Sequence, residues 1–62
     1  MVYVVIDEKG NLHITEKSEE VDNFLSRGEG LFHVISIYGR YVTHETFQVY
    51  EKKIHRINAV IF

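Results

Sequence analysis

The chain contains no cysteine and no proline. The first absence removes disulfides, thiolate metal sites and thiol nucleophiles together. The second, with no low-complexity stretch, predicts that residues 1–62 fold as a single small α+β domain without a linker. No apolar run approaches the roughly 18 residues that a membrane-spanning helix needs. The opening MVYVVIDEKG carries neither a basic leader nor a small-residue cleavage site. A soluble, cytoplasmic protein with no membrane contact is the expectation, and this cysteine-free economy suits a bacterial or phage origin.

A chain this short buries only about 60% of the surface that its unfolded form exposes. With disulfides excluded, good packing or self-association must offset the chain entropy. Apolar residues make up 45% of the sequence and include four Tyr and four Phe, so packing is credible. Tyr also suits a half-wet contact surface, where the ring packs and the hydroxyl stays solvated. Charge is unevenly spread: residues 1–31 hold seven acids against three bases, and residues 32–62 hold two acids against four bases. That polarity can orient a partner.

The longest nearly unbroken apolar run is Leu31–Tyr38, LFHVISIY, set between Gly30 and Gly39. It reads as a central strand buried on both faces. Before it, Val2–Ile6 and Leu12–Thr15 flank the polar loop around Gly10 and predict a hairpin, with Val2–Ile6 inside the sheet. Ser18 is placed to cap a helix whose first turn holds Glu19 and Glu20. Val21, Phe24 and Leu25 form one apolar stripe, and Gly28 sits where a left-handed residue ends a helix.

The last third offers two readings. Gly39-Arg40 is a tight-turn signature that would return Tyr41 onward as a strand. Against it, Phe47, Tyr50, Ile54, Ile57 and Ile61 recur at spacings of three and four, with the charges off that stripe. The spacing predicts a helix from Thr43 to at least His55, with Ala59–Phe62 free to leave it as a closing strand. The result is a two-layer α+β sandwich, helices on one face of a mainly antiparallel sheet, in the order β-β-α-β-α. An all-strand last third would give β-β-α-β-β-β.

Motifs for chemistry are sparse. His13, His33, His44 and His55 show no metal-ligand spacing, so no metal or cofactor is expected. His33, inside the central strand, reads as a hydrogen-bonded, partly buried imidazole. The serines stand in no nucleophile motif, and a chain of this size is expected to lack the volume to enclose a small-molecule pocket of about 300 Å³ or more. The expectation is a non-catalytic protein-interaction or regulatory module that binds another protein or a second copy of itself. An unpaired sheet edge, or the far end of the Phe47–Ile61 stripe, would carry the contact. Tyr38, Arg40, Tyr41, Tyr50, Ile57 and Ile61 are the candidate partner surface. Glu16, Glu19, Glu20 and Asp22 form a candidate acidic face that can imitate a phosphate track. The alternative is a nucleic-acid binder using Arg40, Lys52, Lys53 and Arg56 beside Tyr38 and Tyr41, although the net charge of −2 opposes it.

Overall fold

The computed structural model describes residues 1–62. Five strands and one helix follow one another as β1 (Val2–Ile6), β2 (Leu12–Thr15), α1 (Ser18–Arg27), β3 (Gly30–Tyr38), β4 (Tyr41–Tyr50) and β5 (Lys53–Ile61). The strands form a single antiparallel sheet in the order β2-β1-β3-β4-β5. β3 is therefore central, and β1 lies between β2 and β3.

The two-layer sandwich with two helices is overturned, because α1 is the only helix and most of the chain is strand. The segment expected as a second helix is the β4–β5 hairpin. Its Val, Ile, Thr and aromatic residues lose rotamer freedom in a helix and pack well on a pleated sheet. The chain reverses at Glu51-Lys52, both in the left-handed region at φ 51° and 64°. A two-residue hairpin turn of this hand needs positive φ at both positions, and Asn or Gly normally announces it. Here Glu and Lys take those positions, so the residue types concealed the turn. The Glu51 N–H donates to Glu29 Oε1 at 3.2 Å, which ties the turn back to the end of α1. The three-and-four spacing from Phe47 to Ile61 was coincidental. In the observed register Phe47 and Tyr50 point to opposite sides of the sheet.

The β1–β2 loop is organised by Asp7. Its Oδ1 accepts from the backbone N–H groups of Lys9 (3.0 Å) and Asn11 (2.9 Å), and its Oδ2 accepts from the Asn11 side-chain amide (3.1 Å). The Asn11 backbone N–H, helped by the amide, Lys9 and the nearby His13, holds the Asp7 carboxyl below its ordinary value against some desolvation.

Two details of α1 differ from expectation. Lys17 occupies the N-cap without a side-chain cap bond, and Ser18 is already the first helical residue. The Lys17 N–H donates instead to Thr15 Oγ1 at 3.1 Å. Gly28 is extended (φ −90°, ψ 178°), not left-handed. What requires glycine there is proximity, because a Cβ would lie 2.2 Å from Phe32 Cζ.

The core is Val5, Val21, Leu25, Phe32, Val34 and Val49, with Tyr3, Phe24 and Phe47 packed against it. These residues place α1 over one side of the sheet. Only eight of 62 residues are buried, so the core is thin and most apolar side chains lie outside it. β3 is covered on one side alone, which corrects the expectation of a strand buried on both.

Candidate interaction surface

Side chains alternate along a strand, so the register assigns each residue to one side of the sheet. Tyr3, Val5, Phe32, Val34, Phe47 and Val49 face α1. The other side has no helix over it. Every β1 and β2 side chain pointing that way is aliphatic: Val2, Val4, Ile6, Leu12 and Ile14. β3 adds Leu31, Ile35 and Ile37, β4 adds Val42, and Val60 and Phe62 continue the surface at the β5 edge. None of these belongs to the core cluster. Ile14 is 70% exposed and Phe62 73%.

The open side is also poor in charge. The sheet contains one acid, Glu45, and it points to the helix side, where Arg56 Nη1 donates to its Oε2 at 3.2 Å. Lys53 and His55 are the only other ionisable groups on the open side of β5. A small polar island sits near the middle. His33 Nδ1 and His44 Nε2 are 2.9 Å apart, and Thr46 Oγ1 lies 3.4 Å from His33 Nδ1. One imidazole donates and the other accepts, so the pair needs at least one neutral ring. Two nitrogens bound to one tetrahedral zinc would stand about 3.3 Å apart, and no group of three metal-ligating side chains converges anywhere in the structure. The pair is a hydrogen bond inside an apolar surface.

β5 differs from every other strand. All nine of its residues are exposed on both sides of the sheet, and its outer edge pairs with nothing. A register shift between Thr46 and Phe47 leaves Ile57 without a partner, as a β-bulge.

The residues singled out from sequence do not form one patch. Tyr38 and Tyr41 pair across the Gly39-Arg40 turn at one tip of the β3–β4 hairpin, both exposed, with Ile61 opposite Thr43 nearby. Tyr50 lies at the far end of β4 beside Lys53, roughly 30 Å away along the strand, and Ile57 lies between. Arg40 and the Lys52–Lys53 pair thus stand at opposite ends, and Arg56 is engaged by Glu45. They make no continuous basic track. Of the acids, Glu16, Glu19 and Asp22 are exposed on or just before α1, and Glu20 is half-buried.

Glu20 lines a groove of about 350 Å³ between α1 and the β1–β2 loop, together with Asp7, His13, Phe24 and Arg27. The groove is open to solvent and does not enclose that volume. His13 stacks on Phe24 at 4.4 Å with Nε2 3.8 Å from Asp7 Oδ2. A nucleophile would have to sit within about 3 Å of that imidazole. No hydroxyl does, and Ser26 Oγ donates to the Asn23 carbonyl instead. The open face was missed in the sequence because its residues are spread over five strands. The signal that finds it is the period-2 pattern of Val2, Val4 and Ile6 read together with that of Leu31, Ile35 and Ile37.

Comparison with protein-family models, with curated proteins and with solved structures returns no match. No helix is long and apolar enough to cross a membrane.

Proposed function

We propose that this chain is a non-catalytic protein-interaction module that self-associates, its open sheet face packing against the same face of a second copy. One observation carries the reading: a five-stranded sheet has one apolar side under a helix and an equally apolar side under nothing. Exposed apolar patches larger than a few hundred Å² mark contact sites on soluble proteins. Strands spaced about 4.8 Å apart and rising about 3.3 Å per residue give this face roughly 600 Å². Two such faces reach the lower end, about 1,200 Å², of stable interfaces.

A second copy fits better than a charged partner. The face offers no carboxylate to a basic protein, and its cations lie at the rim, not in a track for nucleic acid. Its complement must be apolar with a small neutral polar centre, which is a description of the face itself. Two-fold pairing of this kind is the commonest oligomer geometry. It would also supply the burial that a core of six side chains lacks. We place this assembly in the cytoplasm, where a cysteine-free chain forgoes nothing by lacking disulfides.

Light scattering tests the reading. The chain is expected to be larger than its 7.3 kDa monomer at tens of micromolar. Ile35→Glu, at the centre of the face, and Ile14→Glu, at its exposed rim, are expected to halve the mass with unchanged circular dichroism. A wild-type monomer at every concentration would refute it.

A further inference from the structure

We infer that the outer edge of β5 between Asn58 and Phe62 is a second docking site, and that it takes the same segment of another copy as an antiparallel strand. Proteins guard sheet edges by keeping them short, charged or bulged. β2, the opposite edge, is four residues long. The first half of β5 carries Lys53, His55 and Arg56 and ends in the Ile57 bulge. The second half has none of these guards. No side chain of Asn58-Ala59-Val60-Ile61-Phe62 is charged, and the segment is free of Gly and Pro and exposed throughout.

The ladder shows which groups are free. The Phe62 N–H donates to the Val42 carbonyl at 2.9 Å. Antiparallel pairs alternate between bonded and non-bonded. With Thr43 opposite Ile61 and His44 opposite Val60, Phe62, Val60 and Asn58 bond inward to β4. Ala59 and Ile61 therefore present their N–H and C=O groups outward.

Charge selects both occupant and register. A strand bearing acids or bases would lay them against an uncharged edge, whereas the same segment brings none. Pairing centred on Val60 sets Ala59 against Ile61 of the second copy and Val60 against its counterpart. That gives four new backbone hydrogen bonds and a close β-branched pair. A register centred further back, between Lys53 and Arg56, would set these bases against basic residues of the copy across the bulge. The two-fold axis then runs perpendicular to the sheet. It joins ten strands with both helices on one side and both open faces, side by side, on the other.

Edge and face are separable, and the tetramer expected below rests on the face contact proposed above as well as on the edge. With both, sedimentation equilibrium should read four chain masses at saturation. Ala59→Pro removes an outward N–H and leaves the β4 ladder intact, a substitution that edge strands tolerate. Ile61→Lys, at a residue 79% exposed, sets a charge on the edge without touching the open face. Each should reduce four chain masses to two, as should Ile35→Glu, and Ala59→Pro combined with Ile35→Glu should give one. A wild-type dimer dissociated by Ile35→Glu but untouched by Ala59→Pro and Ile61→Lys would overturn the edge while leaving the face. A dimer dissociated only by the edge variants would leave the edge and overturn the face. Capture of an unrelated extended peptide by a chain whose mass ignores both edge variants would assign the edge to a foreign strand and overturn self-pairing.

Discussion

The two sides of the sheet are made by the same strands and differ little in apolar character, yet only one is covered. On the helix side, Val5 and Val49 are fully buried, and Phe32 and Val34 retain at most 5% exposure. On the open side, Ile14 and Phe62 are mostly exposed, and His33, Ile35 and His44 are half-buried. The helix is only ten residues long and cannot serve both sides. Apolar alternation on both sides of an antiparallel sheet means that two covers are required, and this chain supplies one.

That contrast can be broken first at the covered side. Phe32→Ala should cost about 3–5 kcal/mol, comparable to the whole stability of a chain this size at about 0.05–0.15 kcal/mol per residue. Urea denaturation is expected to find the variant largely unfolded. On the open side the corresponding lever is the His33–His44 hydrogen bond, around which Val4, Ile6, Ile35, Thr46 and Asn58 bring no charge. His44→Phe takes away the ring that His33 bonds and leaves a polar nitrogen to be buried at the interface, about 1–3 kcal/mol. Association should therefore weaken about 5- to 150-fold in Kd. Sedimentation of wild type and variant checks it, and an unchanged Kd would remove the pair from the interface.

Smaller effects sharpen the same contrast. Gly28→Ala drives a methyl into Phe32 and the Phe24 carbonyl, and thermal unfolding should show a loss of about 1–3 kcal/mol. Replacing Glu51-Lys52 by Asn-Gly relieves two left-handed positions and should add about 1 kcal/mol by the same measurement. Asp7→Asn is expected to lower the unfolding midpoint near neutral pH. Because the folded carboxyl titrates below its ordinary value, its contribution is present above the unfolded value and fades as pH falls through the folded one. The gap between wild type and variant should close in acid.

Much of the first half was legible in the residues. The Val2–Ile6 and Leu12–Thr15 hairpin, the Val21-Phe24-Leu25 stripe and the central place of Leu31–Tyr38 follow from local pattern. The second half was not, because tertiary pairing decided it. Thr43 with Glu45 imitated a helix start, and Glu51-Lys52 hid a turn. Had Gly39-Arg40 been taken as the two-residue turn that it is, the β3–β4 register would have followed, bringing His33 opposite Thr46 and Ile35 opposite His44. The histidine pair was therefore recoverable from sequence. The open face was less so, since it exists only once five strands are laid side by side.

The most direct test of a missing second cover is a dilution series read by methyl NMR. Open-side methyls of Val4, Ile35 and Ile37 should shift with concentration between about 5 and 500 μM, a span that brackets micromolar affinity. Those of Val5, Val34 and Leu25 should stay fixed. Open-side methyls that hold still across that span, or core methyls that move equally with them, would contradict the account.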